Sequence, residues 1–309
     1  MKGPLFFAKI LLFGEYGIIK DSKGLSIPYN FFWGTLKLAE KETEVTLASH
    51  QSLCAYTEYL KGLPEKLLPL DWKSLEADLD RRLYFESSIP QGYGVGSSGA
   101  LVAAFYYRYA VDRVSPQADL TPKKISRLKS IFSDMESYFH GQSSGLDPLN
   151  SYLSLPLLIH SKNKIETTLI PPQNVQGKGA IFLIDSGSSC ATSPMISLFL
   201  ENMKQEGFRK MMRDEFALMT DLCVENFLKG NVKTLFSNMK SLSALFLKYF
   251  KPMIPDEFYE LWKKGLESNA YYLKLCGSGV GGYMLGFTRD LDTAEKVIQG
   301  YPLEVVYYF

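Results

Sequence analysis

The period of apolar and polar positions changes along this chain. Phe6–Phe13, Gly24–Leu38 and residues 44–48 are each rich in aromatic or β-branched residues and separated by Gly, Lys and Asp, which predicts three strands and an antiparallel β start. From Ser98 the spacing becomes helical, with Leu101, Val102, Phe105, Tyr109 and Val111 following a glycine-rich turn. A clearer helix lies between Pro122 and Gly141, where Ile125, Leu128, Ile131, Phe132, Met135, Tyr138 and Phe139 recur at three and four residues. A short buried strand starts at Ala180, and long helical periods then cover 194–228, 232–250 and 255–268. Two strands over 272–278 and 282–288, a helix over 292–298 and a strand over 303–309 close the chain. This predicts an α+β layer arrangement with a domain boundary near Cys190, dividing 1–190 from 191–309.

Composition narrows the class. Apolar residues make up 46% of the 309 and charged residues 22%, enough for a sizeable core and against disorder. With 34 basic and 33 acidic side chains the net charge is +1, which gives no broad field for nucleic acid or anionic lipid. Cys54, Cys190, Cys223 and Cys276 form no CxxC pair and only three histidines accompany them, so reduced structural cysteines are expected. Lys9 and Glu15 interrupt the apolar N-terminal run and no long apolar stretch follows, so a cytoplasmic protein without a membrane span is expected.

Three segments carry candidate chemistry. In the first, PQGYGVGSSGALVAAF, Gly92, Gly94 and Gly96 lead into Ser97 and Ser98 at a helix start. Glycines let backbone amides approach a ligand, and a helix N-terminus adds unsatisfied donors, so a nucleotide phosphate fits there; a tight turn with a serine N-cap is the structural alternative. No Lys follows the last glycine, which excludes a Walker A loop. The second, ESYFHGQSSGLDP, holds Glu136 and Asp147 on either side of a helix end. Mg²⁺ takes one or two carboxylates plus phosphate oxygens, so an acid beside a phosphate loop is a candidate ligand. Taken singly, Glu136 reads as a solvated helix residue, Asp147 as a turn residue before Pro148, and His140 as a helix C-terminal residue. The third, KLCGSGVGGYMLGF, places Gly277, Gly279, Gly281 and Gly282 between two strands, more glycine than a hairpin requires. That excess points to close backbone approach, to a ligand or to another loop.

Together with FFAKILLFGEYGII, these segments resemble the GHMP kinase superfamily in order and spacing across nearly the whole chain. Lys9, Gly14 and Glu15 match its first motif, the stretch from Pro90 to Ala100 its PxxxGLGSSAA motif, and Gly277 to Gly282 its C-terminal glycine-rich motif. The loop HGQSSGLD resembles the HGxPSGxD pattern of the mevalonate kinase branch. The resemblance implies a ribosomal protein S5 domain 2-like N-terminal domain, a ferredoxin-like C-terminal domain and an active site between them. It implies ATP and Mg²⁺ as cofactors and transfer of a phosphoryl group to an alcohol, mevalonate first, with phosphomevalonate or a sugar as alternatives. By the same resemblance Asp147 is the catalytic acid residue and Lys9 its neighbouring cation, with Ser98 and Glu136 the magnesium ligands. Gly92, Gly94, Val95, Gly96, Ser97, Ser98, Gly99, Gly277 and Gly279 would hold the nucleotide, and Glu15, His140, Gly145 and Thr192 the acceptor.

The chain departs from the family at Ala8, where glycine is usual, at Tyr16, where mevalonate kinases usually have histidine, and at Ser143, where the acceptor loop has proline. The family's DTGxxRST-like stretch is written DSGSSCATS here, with Cys190 at the arginine position. The expected partners are ATP and a small-molecule acceptor, with no nucleic acid or membrane and with a homodimer left open. A non-catalytic ligand-binding member is the rival from another class; retention of Lys9, Glu136 and Asp147 argues against it.

Overall fold

The structure is a computed structural model that describes residues 3–20, 22–117, 119–161, 164–189 and 192–309, the side chains at 192 and 193 excepted. It contains two antiparallel sheets dressed with helices, an α+β fold. The boundary expected near Cys190 falls on residues outside those described. By compactness the chain divides into a first unit of the residues up to Lys9, Ile27–Gln91 and Gly96–Leu155, and a second of Ile10–Ser26, Gly92–Val95 and Pro156–Phe309. Strands β1 (Phe6–Phe13) and β2 (Gly24–Leu38) each give one end to either unit.

In the first unit the far end of β2 pairs antiparallel with β3 (Leu83–Ser87), Gly34 opposite Ser87. Helix α1 (Glu44–Lys61) packs on β3. Residues 44–48, expected as a strand, open this helix instead. The Thr43 side chain caps the Thr46 amide and the Thr46 hydroxyl returns the bond, while His50, Leu53, Tyr56, Thr57 and Leu60 turn one face inward. A window of β-branched residues hid a helical period that emerges only over all 18 residues.

Helices α2 (Trp72–Asp80), α3 (Ser97–Tyr109), α4 (Pro122–His140) and α5 (Leu146–Leu153) complete the unit. Thr121 caps α4, whose buried stripe takes in Ile125, Leu128, Ile131, Phe132 and Met135 as expected, while Tyr138 and Phe139, expected on the same face, are exposed at its end. Helix α3 packs against α4 and α5, and Gly99 faces the first turn of α5. A Cβ there would lie 2.7 Å from the Asp147 carbonyl carbon and 2.8 Å from Pro148 N, so only glycine lets the two helices meet in this register.

In the second unit the near end of β2 pairs with β4 (Leu157–Ser161), Gly24 opposite Ile159, and β4 with β5 (Lys164–Thr167). The other sheet has the order β7-β8-β6-β9, from β6 (Ala180–Asp185), β7 (Tyr272–Leu275), β8 (Tyr283–Thr288) and β9 (Leu303–Tyr308). Its helices are α6 (Thr192–Asn202), α7 (Glu206–Met211), α8 (Ala217–Leu228), α9 (Val232–Tyr249), α10 (Asp256–Ser268) and α11 (Leu291–Ile298). The single helix expected over 194–228 is therefore broken. At the break the Arg209 guanidinium donates to the carbonyls of Met203 at 3.1 Å and Lys204 at 2.6 Å, which satisfies acceptors that a helix end leaves open. A π-type stretch, Met212–Phe216, then turns Phe216 onto Phe246 and Phe250.

Candidate active site

The first unit gathers Lys9, Ser98, Glu136, His140 and Asp147. Lys9, on β1, is only 4% exposed, and its Nζ lies 3.1 Å from Asp147 Oδ1. A buried ammonium requires such a partner. Asp147 is not in a loop, as the turn reading had it, but in the first turn of α5, whose left-handed N-cap Gly145 (φ 71) rests on the Lys129 carbonyl of α4. Its side chain is 38% exposed, so the carboxylate is anchored on one side and open on the other.

Glu136 corrects the solvated reading, for it is 3% exposed and continues the apolar stripe one helical turn after Phe132. Ser98 Oγ donates to its Oε1 at 2.9 Å and Ser143 Oγ donates to its Oε2. Burial first, and then the charge of Asp147, push this carboxyl up to about 8, against the pull of Ser143, Ser98 and Lys9. His140 does end α4, and its Nε2 lies 3.1 Å from Ser98 Oγ; burial draws the imidazole below its ordinary range.

Helix α3 begins beside these groups without a side-chain cap. Its N-cap is Gly96 (φ 83), and Ser97 and Ser98 are its first two residues, so the serine N-cap alternative is not what is built. The amides of its first turn are left as donors. Val95 is fully buried, whereas Gly92 is exposed.

In the second unit the glycine-rich loop between β7 and β8 is held by backbone on several sides. A Cβ at Gly94 (φ 77) would lie 2.3 Å from the Cys276 carbonyl oxygen, and Gly277 faces Gly94 in turn. The Val280 amide donates to Met253 O at 2.6 Å and the Gly282 amide to Ser188 O at 2.6 Å. The close approaches of these glycines are to the backbone of Tyr93, Gly94, Ser188 and Met253. Glu15, expected at the acceptor, is buried and bonded to Lys274 Nζ. Thr192 opens α6, but its side chain, like the whole of Cys190, lies outside those described. Sequence reasoning assigned no role to Ser143 or Lys274; the only signals were a departure from the family pattern at 143 and the start of a motif at 274.

Among the described residues no group of three or more His, Cys, Asp and Glu is arranged to hold a metal, and no helix is long and apolar enough to cross a membrane. The model of the GHMP kinases N terminal domain matches residues 60–154, and that of the GHMP kinases C terminal matches 223–304. No curated protein matches the sequence. Among solved structures, Leishmania major mevalonate kinase in complex with R-mevalonate superposes with a TM-score of 0.65 at 16% identity, covering 100% of this chain and 97% of that one. Streptococcus pneumoniae phosphomevalonate kinase in complex with phosphomevalonate and AMPPNP gives 0.63 at 12%, covering 99% of each chain. Lactococcus lactis galactokinase complexed with galactose gives 0.60 at 14%, covering 98% and 94%. Because the acidic cluster falls within the first matched segment and the glycine-rich loop within the second, in the order the family requires, the chain belongs to the GHMP kinase superfamily of ATP-using phosphotransferases.

Proposed function

We propose that this protein transfers the γ-phosphoryl group of ATP to the hydroxyl of mevalonate. The observation that carries the reading is the Lys9–Asp147 pair, 3.1 Å apart, in one unit with the uncapped N-terminus of α3. Phosphoryl transfer asks a protein chiefly to position donor and acceptor and to neutralise charge. The α3 amides and Ser97 would take phosphate oxygens, a role supported by the helix dipole and its open donors. The open side of Asp147 would accept the proton of the acceptor hydroxyl as its oxygen bonds to the γ-phosphorus and the bond to ADP breaks. Lys9 would hold the carboxylate in place and face the charge on the transferred group.

The residues present fit a magnesium ion. Glu136 is a buried carboxylate whose ionised form is disfavoured by burial and by Asp147, which a cation would relieve, and Ser98 adds a second hard oxygen. Bound there, the ion would neutralise charge on the nucleotide phosphates. Gly277 and Gly279 are assigned to the nucleotide, and His140 and Gly145 to the acceptor side. Mevalonate rests on the HGQSSGLD pattern, since likeness at these identities speaks for fold alone.

The test is ADP release with ATP, magnesium and a panel of mevalonate, phosphomevalonate, galactose and homoserine. Mevalonate should be turned over fastest, because a pocket built for one set of polar groups rejects ligands that leave them unpaired. Preference for another member would overturn the acceptor and keep the kinase. Silence with all four would favour a non-catalytic binder.

A further inference from the structure

Two consecutive residues of the first motif have their side chains buried against the glycine-rich loop rather than open to a ligand. The Glu15 carboxylate is bonded to Lys274 Nζ, on β7 just ahead of the loop, and that ammonium also donates to the Leu275 carbonyl at 2.8 Å. Tyr16 has a left-handed backbone (φ 59) in a turn closed by the Gly17 amide on Glu15 O at 2.6 Å and the Ile18 amide on Gly14 O at 3.0 Å. A bulky residue adopts that conformation only where its surroundings impose it. Here the ring is 5% exposed, with centroids 4.8 Å from Phe199 and 5.4 Å from Phe250, and the hydroxyl donates to the Ser278 carbonyl at 2.6 Å. Phe250 leads into the turn Lys251–Met253, whose last carbonyl holds the Val280 amide. The same aromatic group therefore backs two anchors of one loop.

We propose that Glu15 and Tyr16 are positioning residues for the loop over 276–282, acting on the nucleotide through that loop and not by touching the acceptor. This rests on the reading that the loop binds nucleotide. A glycine-rich loop left to itself samples many conformations, and binding would have to order it; anchors at its entry and at Ser278 hold it already ordered, which strengthens binding without a new contact. Tyrosine at position 16 reaches the Ser278 carbonyl with a hydroxyl at the end of a ring that is itself fixed by packing.

Tyr16→Phe in the full chain is the test, because it keeps the ring and removes only the hydroxyl. The KM for ATP, and the Kd for ATP by calorimetry, should rise about fivefold, the effect of one ordinary hydrogen bond. The KM for the acceptor should stay within about twofold. A merely weakened fold would instead lower kcat at constant KM. Glu15→Leu with Lys274→Met, which removes the entry anchor without leaving a buried charge unpaired, should shift the same constant in the same direction and serves if Tyr16→Phe folds poorly. A rise in acceptor KM with ATP KM unchanged would overturn the proposal, as would no change in either. If the wild type binds ATP but transfers to no acceptor, the kinase reading fails alone, and an unchanged Kd in Tyr16→Phe would still overturn the loop role. No ATP binding by the wild type would overturn both.

Discussion

Gly99→Ala separates the placement of the candidate catalytic groups from their chemistry, since it leaves Lys9, Ser98, Glu136 and Asp147 unchanged. Intrinsic helix propensity favours alanine by about 1 kcal/mol within α3. The contact opposes it. The new Cβ would stand 2.7 Å from the Asp147 carbonyl carbon and 2.8 Å from Pro148 N, and both are backbone atoms that cannot swing aside. Ordinary carbon contacts need about 3.5–4.0 Å, so the start of α5 must retreat by roughly 1 Å. Overpacking of that kind costs about 1–3 kcal/mol, leaving a net loss of stability of about 1 kcal/mol once propensity is subtracted. Displacing Asp147 by roughly 1 Å should cost about a hundredfold in kcat, or ~2.7 kcal/mol of barrier. Activity should therefore fall further than stability. The assay is kcat at saturating ATP and acceptor beside a thermal melt of the same preparation. A kcat within about threefold of wild type, with an equal or higher melting temperature, would refute the claim that Gly99 sets the position of Asp147.

Ser98→Ala and Glu136→Gln should each raise the magnesium concentration at half-maximal rate, and the double variant should show less than the sum because both act on one ion; additive effects would count against a shared site. In metal-free protein Glu136 keeps its proton up to about pH 8 when folded but only to about 4.5 when unfolded, so the folded state binds more protons between those values and stability falls as pH rises through them. Glu136→Gln should flatten that slope in chelator-treated samples, and an unchanged slope would remove Glu136 as its source. Lys274→Met alone should lose about 3–5 kcal/mol in chemical denaturation, because it strands the buried Glu15 carboxylate, while Glu15→Leu with Lys274→Met should recover most of it; equal losses in single and double variants would speak against the pair.

Much of this fold is legible in the sequence where periods are long and punctuation clear. The stripe of α4 and the strands β1, β2 and β6 follow from their patterns. Short elements were not legible: α5 has eight residues, opens at a left-handed glycine and carries Asp147, so its local signal is that of a turn. Residues 44–48 misled because β-branched side chains filled a helical first turn. The motif residues of the candidate site could be named from the family resemblance, but not their environments. The burial of Glu136 depends on α3 and on Ser143 reaching it across a loop, and the pairing of Glu15 with Lys274 joins positions 259 residues apart. No local pattern encodes such partners.

The central claim, that Asp147 serves phosphoryl transfer, is tested most directly by Asp147→Asn, assayed for turnover with mevalonate and for ATP affinity by calorimetry on one preparation. The substitution keeps the shape of the side chain at the start of α5 and removes its charge. The account predicts a loss of turnover of at least about a thousandfold, more than ~4 kcal/mol of barrier, with the Kd for ATP within about twofold of wild type. Turnover within about tenfold of wild type, only ~1.4 kcal/mol of barrier, would contradict it.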